Sequence, residues 1–369
     1  MDLKAQRTQL SKELDSAVRD VMDASAFIGG AQLRAFEQGF AAAQGVRHCI
    51  GVGNGTDALV VILRALGLGA NEVVITAANS FIASSEAVTL AGGRPAFADC
   101  GPNYVMTAET LSAAIEREKK AGRRVRGVIV VHLYGRSCDM TALGAVAERH
   151  ELFVVEDCAQ AHLGMHAGKP VGGFGVAAAF SFYPGKNLGA FGDAGAIVSN
   201  DAALAERMRM LANHGRKAKY DHEIEGTNSR LDNLQAAVLN VKLPHLRAWT
   251  EARIRAADRY RERLANVRGV VVPAATPAFE HVYHLFVVRV ANRSAVKEKL
   301  AAAGIDTGVH YPHALPDLAA YAYLETRREE HENASDWSSS ILSLPMFPEI
   351  TDAQIDHVAD ALADAVSGS

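Results

Sequence analysis

The chain has 369 residues, of which 49% are hydrophobic and 22% are charged, and its formal net charge is −4. This length favours two domains, and the apolar content is sufficient to give each a core, which excludes extensive disorder. The Lys and Arg residues are scattered, which argues against nucleic acids and anionic membranes as partners. No Cys or His spacing is typical of a zinc site, so no metal is expected.

The N-terminus is predicted to form a charged amphipathic helix without the apolar core of a signal peptide. No later segment has the length and apolarity of a membrane span. We therefore expect a cytoplasmic protein with reduced, mostly buried cysteines, which are Cys49, Cys100, Cys138 and Cys158.

From position 46 to 198, short β-rich runs alternate with helical patterns. The predicted strands are His48–Val52, Glu72–Thr76, Arg94–Ala98, Gly127–Val131, Leu152–Glu156, Ala177–Phe182 and Ala196–Ser199. This alternation predicts the α/β class, with a mainly parallel sheet between helices. Ligands of such sheets bind beyond the carboxyl ends of the strands. The polar segments predicted to meet there are Gly53–Asp57, Asn79–Phe81, Glu156–Gln160 and Ser181–Gly189.

The pattern changes after position 199. A helix is predicted at Ala202–Asn213, and residues 231–264 are largely helical with an interruption at Pro244. A strand at His284–Val290, a helix at Ser294–Ala303 and terminal helices then indicate an α+β unit. We predict a large domain at 1–245 and a smaller C-terminal domain at 246–369.

The segment Gly53–Asp57 follows a strand and precedes a predicted helix at Ala58–Leu66. Free backbone N–H groups at a helix N-terminus can hold a phosphate, although a β-turn with an N-cap explains the same composition equally well. The patterns GxGxxG and GxxxxGK[ST] are absent, which argues against dinucleotide and P-loop sites.

Asp157 ends an apolar strand, and Lys186 follows the end of the next one. A buried lysine can lose its proton near neutral pH and attack a carbonyl, whereas a buried carboxylate needs a partner such as a pyridinium N–H. Each residue alone is more simply a surface lysine or a capping aspartate. Their order along the chain, however, is what a pyridoxal phosphate site requires.

Four motifs together resemble those of the DegT/DnrJ/EryC1/StrS sugar aminotransferases over almost the whole chain. They are Gly55–Asp57, Glu156–His162, Ser181–Gly189 and Gly226–Leu231. The resemblance implies the aspartate aminotransferase-like fold of type I pyridoxal phosphate enzymes. It also implies a homodimer with shared active sites that aminates keto sugars attached to nucleotides.

The resemblance further implies roles for single residues. Lys186 would bind pyridoxal phosphate covalently and shuttle protons, and Asp157 would pair with the pyridine nitrogen. Gln160 would lie near the phenolic oxygen of the cofactor, and Phe81 would cover its ring. Both Phe81 and the pair His310 and Tyr311 are also compatible with purely structural roles.

The phosphate would be held by Gly55, Thr56 and Ser181, with Asn228 inserted from the neighbouring subunit. The residues expected to contact the substrate are Tyr183, Arg230, His310 and Tyr311. Two departures from the family pattern, Leu163 and Ala194, replace glycines and could reshape the pocket.

The implied reaction is a ping-pong transamination with L-glutamate as donor and pyridoxamine phosphate as intermediate. The segment Tyr183–Gly189 resembles the branch that converts dTDP-3-keto-6-deoxyhexose to dTDP-3-amino-3,6-dideoxyhexose, for deoxyamino sugars of lipopolysaccharide or other glycans. Three alternatives stay open: amination at C4, a UDP- or GDP-linked sugar as substrate, and a non-catalytic regulator that binds cofactor or sugar nucleotide. Lys186 argues against the related C-3 deoxygenases, in which histidine replaces this lysine.

Overall fold

The computed structural model describes residues 2–367. Its α-helices are α1 Leu3–Gln9, α2 Ser11–Asp23, α3 Ala31–Gln44, α4 Gly55–Ala65, α5 Ala83–Leu90, α6 Ala108–Lys120, α7 Met140–Arg149, α8 Ala202–Ala212, α9 Asn233–Lys242, α10 Leu246–Leu264, α11 Arg293–Ala302, α12 Glu332–Ser338 and α13 Asp352–Ser367. Short 3-10 helices lie at Leu133–Gly135, Leu243–His245, Leu315–Asp317, Ala319–Leu324 and Arg328–Glu330.

The strands are β1 His48–Val52, β2 Glu72–Ala77, β3 Arg94–Ala98, β4 Arg124–Val131, β5 Phe153–Asp157, β6 Met165–His166, β7 Lys169–Pro170, β8 Ala177–Ser181, β9 Gly195–Ser199, β10 Arg216–Ala218, β11 Asp221–His222, β12 Val270–Val271, β13 Phe286–Val290 and β14 Ile341–Leu344.

A seven-stranded sheet in the order β1-β9-β8-β5-β4-β2-β3 organises the molecule. Strand β9 is antiparallel to both of its neighbours, and the other pairs are parallel. All strands except β9 therefore run in one direction, and their carboxyl ends share one edge. The predicted α/β class with a mainly parallel sheet is confirmed.

The sheet is buried on both faces, and β8 shows why its sequence is small and apolar. Ala177 and Ala179 pack into a core cluster with α4, α6 and α7, whereas Ala178 and Phe180 pack into a second cluster with α3 and α9. Alternate residues of a strand point to opposite faces, so both sets are covered by helices. The carboxyl edge of the sheet is left as the place for polar chemistry.

Element boundaries at this edge differ from the prediction in one informative place. Helix α4 begins at Gly55, three residues before the predicted start. The cause is Asn54, whose side chain caps the helix by accepting the Asp57 N–H at 2.8 Å. Gly55 and Thr56 therefore belong to the first helical turn.

The C-terminal part has its own core. Helices α10, α11 and α13 pack against the antiparallel sheet β12-β13-β14 and bury residues such as Tyr260, Phe286 and Leu362. The predicted interruption at Pro244 appears as a 3-10 turn between α9 and α10. The domain boundary at 245 stays a prediction. Within residues 2–367, no helix combines the length and apolarity that crossing a bilayer requires.

Candidate active site

A cavity of about 570 Å³ lies at the carboxyl edge of the sheet, and all four predicted polar segments contribute to its wall. The predicted site residues that line it are Gly55, Thr56, Phe81, Asp157, Gln160, Ser181, Tyr183, Lys186 and Tyr311. Residues separated by more than 250 positions in sequence thus meet in one place, because parallel strands end at the same edge.

The N-terminus of α4 forms one end of the cavity. Backbone N–H groups of a first helical turn have no partners within the helix and attract anions. A Cβ on Gly55 would lie 2.9 Å from Ser181 Cβ, so glycine permits the helix to approach β8 this closely. Ser229 holds the turn between β1 and α4 in place, since its Oγ accepts the Gly53 N–H at 3.1 Å and donates to Asp57 Oδ2 at 2.7 Å.

Asp157, the last residue of β5, and Lys186, in the loop that follows the neighbouring parallel strand β8, both line the cavity. Burial raises the pKa of Asp157, whereas the Ala159 N–H, at 3.0 Å from Oδ1, and the charge of Lys186 lower it. Burial lowers the pKa of Lys186 to about 8, and the Asp157 carboxylate opposes this effect. The amine is therefore far easier to deprotonate than an exposed lysine.

Gln160 is held in one orientation. Its Oε1 accepts the backbone N–H of Tyr134 at 2.5 Å, and its Nε2 donates to the Tyr311 hydroxyl at 3.3 Å. Burial raises the pKa of Tyr311 to about 12, so the phenol is neutral. The ring of Tyr311 lies 5.5 Å from that of Phe81, and the two form an aromatic wall beside Gln160.

Three predicted site residues do not line this cavity: Asn228, Arg230 and His310. Asn228 is exposed, and Arg230 Nη1 donates to Asn213 Oδ1 at 3.3 Å. The His310 ring lies 2.9 Å from Ser343 Oγ. Their roles in binding phosphate or substrate stay predictions.

The sequence alone indicates no role for Glu156 and His132, which lie next to Asp157 on the side away from the cavity. Glu156 is wholly buried, and its carboxylate accepts His132 Nε2–H at 3.1 Å and backbone N–H groups within residues 172–175 at 2.7–2.8 Å. Burial alone would raise the pKa of Glu156, but these hydrogen bonds lower it. A glutamate within an apolar strand was the signal that such a buried partner exists.

Known proteins resemble this chain over nearly its full length. Residues 8–363 match the DegT/DnrJ/EryC1/StrS aminotransferase family. The dTDP-3-amino-3,4,6-trideoxy-α-D-glucose transaminase of Streptomyces venezuelae is 42% identical over 99% of this chain and 95% of its own. The UDP-N-acetyl-3-dehydro-α-D-glucosamine 3-aminotransferase of Acidithiobacillus ferrooxidans is 39% identical over 100% and 98%, respectively.

Among solved structures, S. venezuelae DesV in complex with a ketimine intermediate superposes with a TM-score of 0.94 at 41% identity. The match covers 98% of this chain and 96% of that one. The aspartate aminotransferase-like fold predicted from the sequence is therefore confirmed.

Proposed function

Because the chain belongs to the DegT/DnrJ/EryC1/StrS aminotransferase family, whose members are pyridoxal phosphate-dependent enzymes, we propose that it aminates a dTDP-linked 3-keto-6-deoxyhexose. The product is the dTDP-3-amino-3,6-dideoxyhexose, and L-glutamate is the amino donor. The observation that supports this most directly is the meeting of Lys186, Asp157 and the N-terminus of α4 in one cavity.

The side chains present fit this cofactor. Asp157 is a buried carboxylate that needs a partner, and a pyridinium N–H would be a suitable one. The first turn of α4, together with the Ser181 hydroxyl, suits a phosphate. The Lys186 amine, with its lowered pKa, suits an aldehyde carbon. When bound, pyridoxal phosphate supplies an electron sink for the negative charge that develops at the α-carbon of the donor.

The chain's own residues then supply positioning and proton transfer. Asp157 holds a proton at the ring nitrogen, and Lys186 Nζ in its neutral form removes the α-proton of the donor. In the second half-reaction the same amine returns a proton to the sugar carbon that receives nitrogen. Gln160 and Tyr311, which are hydrogen bonded to each other, keep their polar groups directed at the cavity, and the ring of Phe81 covers it.

Two observations support amination at C3. The segment Tyr183–Gly189 is of the type associated with 3-keto sugars, and both relatives described above carry a 3-amino or 3-aminotransferase designation. The two relatives differ in the nucleotide, because one is named for a dTDP-linked sugar and the other for a UDP-linked one. A UDP-linked 3-keto sugar is therefore the second candidate.

We further propose a cytoplasmic homodimer, serving deoxyamino sugar and glycan biosynthesis such as that of lipopolysaccharide. Asn228 of each subunit would complete the phosphate site of its partner. The exposure of Asn228 and its place beside Ser229, which is bonded to the start of α4, support this arrangement.

The test is spectroscopic. Purified protein with pyridoxal phosphate is expected to show a visible band that L-glutamate bleaches and a dTDP-linked 3-keto-6-deoxyhexose restores. A panel of 3-keto and 4-keto sugars on dTDP and UDP decides the substrate. Failure of the wild type to bind the cofactor would contradict the function itself, and restoration only by a 4-keto or UDP-linked sugar would contradict the substrate.

A further inference from the structure

Asn187 follows the proposed catalytic lysine directly but faces away from the cavity. Its side chain is 2% exposed and does not line the cavity that Lys186 enters. Nδ2 donates to the Val282 carbonyl at 3.0 Å, and Oδ1 lies 3.2 Å from His284 Nδ1. A carbonyl can only accept, so the amide orientation is fixed, and His284 must donate from Nδ1.

The partners of Asn187 are themselves firmly held. Arg253, which is 1% exposed, donates from Nη1 to the carbonyls of Tyr283 at 3.0 Å and Met346 at 3.2 Å. The Val282 N–H donates to the Gly135 carbonyl at 2.8 Å. Burial lowers the pKa of His284 well below its ordinary value, so the imidazole stays neutral. Asn187 is therefore bonded to a rigid part of the C-terminal region rather than to a mobile loop.

Packing also explains the rest of the segment after Lys186. Leu188 is fully buried in the core cluster that β8 forms with α3 and α9. A Cβ on Gly189 would lie 2.3 Å from the Pro184 carbonyl oxygen, so only glycine fits there. Within Tyr183–Gly189, the residues that line the cavity are Tyr183 and Lys186.

We propose that Asn187 is a positioning residue: by bonding the lysine loop to residues 282–284, it fixes the place from which Lys186 Nζ transfers protons. It does not itself select the sugar. This inference rests on the proposed aminotransferase function. It assigns a physical role to a sequence feature that otherwise serves only as a marker of the 3-keto branch.

The experiment compares Asn187→Ala and Asn187→Asp with the wild-type holoenzyme. Loss of both hydrogen bonds in Asn187→Ala is expected to lower kcat about 10- to 100-fold, because misplacement of a reacting group by about 1 Å has that effect. The KM for the keto sugar and the ratio of rates on 3-keto and 4-keto sugars are expected to stay within about twofold. In Asn187→Asp, a carboxylate that faces the Val282 carbonyl would favour the protonated form of the nitrogen that Lys186 contributes to the bound cofactor, so the pH midpoint of the visible band of the holoenzyme is expected to rise.

Gln235→Ala is the matched control, since Gln235 Oε1 accepts the Phe191 N–H at 2.8 Å on the far side of the same loop. It removes a comparable tether of the loop that does not involve residues 282–284, and it is expected to leave kcat within about twofold of the wild type. An equal loss in Gln235→Ala, a changed sugar preference in Asn187→Ala, or an unchanged kcat in Asn187→Ala would overturn the proposal.

The Asn187→Asp protein keeps the shape of the side chain, so it decides the proposal even if Asn187→Ala does not fold: an unmoved midpoint together with a wild-type kcat contradicts it. Bleaching of the wild-type band by glutamate, recorded in the same series, separates failure of this inference from failure of the proposed function.

Discussion

Asp157, at the end of β5, and Lys186, in the loop after the adjacent parallel strand β8, line one cavity, and each charge offsets the effect of burial on the pKa of the other. Burial favours the neutral forms of both, whereas their mutual attraction favours the charged forms. The balance leaves the lysine with a pKa of about 8. The pKa of this amine thus depends on the order of the strands, which brings Asp157 and Lys186 together, rather than on a special local sequence.

Lys186→Ala is expected to abolish covalent attachment of the cofactor and to lower kcat by at least roughly 100-fold, because the amine both binds the aldehyde and moves protons. Mass spectrometry after borohydride reduction measures the attachment. Lys242→Met is the control: burial also lowers the pKa of Lys242 to about 8, but its Nζ donates to the Gly189 carbonyl at 2.7 Å and lies outside the cavity. Attachment at Lys242 in the Lys186→Ala protein would refute the assignment.

Reconstitution of the apoenzyme with pyridoxal phosphate is expected to accelerate with rising pH, with a midpoint of about 8. Only the neutral amine attacks the aldehyde, and at pH 7 about one tenth of Lys186 is neutral with such a pKa. Stopped-flow absorbance measures the rate. A midpoint near that of an exposed lysine, about 10.4, would show that burial does not act as argued.

Asp157→Asn keeps the shape of the side chain but removes its charge. The amide cannot hold a proton at the pyridine nitrogen, so kcat is expected to fall roughly 100-fold with a smaller change in glutamate KM. Because the Asp157 carboxylate raises the pKa of Lys186, the midpoint of reconstitution should move below that of the wild type. Steady-state kinetics and the same stopped-flow titration test both effects, and a wild-type kcat would contradict the role.

Glu156→Gln should destabilise the fold by about 1–3 kcal/mol, because it removes a buried charged acceptor of several hydrogen bonds. The folded pKa of Glu156 is lowered, so its contribution is present above its unfolded pKa and is lost as the pH falls through the folded value. Acid unfolding of the variant should therefore be less steep. Glu116→Gln, at a side chain 67% exposed, is the control for denaturant unfolding and should change stability by less than about 0.5 kcal/mol.

Mixing Lys186→Ala with Asn228→Ala tests the shared site. Each variant alone should be nearly inactive, but random exchange of subunits of a two-fold dimer gives mixed dimers with one intact site. Recovery of roughly a quarter of wild-type activity is expected after co-refolding. Absence of any recovery, with mixed dimers verified by a tag on one variant, would place Asn228 outside the partner's site.

Much of the fold could be predicted because buried parallel strands have a distinctive apolar pattern. Strands β1 and β3 have the predicted bounds, and Asp157 ends β5 as a strand-terminal residue should. The start of α4 was missed because Gly, Thr and Asp are weak helix formers, and only the cap by Asn54 places them in the helix. Helix propensity alone does not predict a capping hydrogen bond between a side chain and the backbone.

The sequence could not identify which residues pair to support the site, for a different reason. Glu156 and His132 are 24 positions apart, and Asn187 and His284 are 97 apart, so nothing local indicates that they meet. In a loop, moreover, no periodicity states which way a side chain points. The direction of Asn187, away from the cavity, becomes known only from the folded chain.

The hydroxyl of Ser229 joins Gly53 and Asp57 at the end of the cavity formed by α4, one residue from the exposed Asn228. Any restraint that a second subunit places on residue 228 would therefore reach the anion cradle through a single peptide unit and one hydrogen bond. Binding of the cofactor and association of the subunits are then linked, and each raises the affinity of the other by the same factor. Dilution that separates the subunits of the holoenzyme would then also release pyridoxal phosphate.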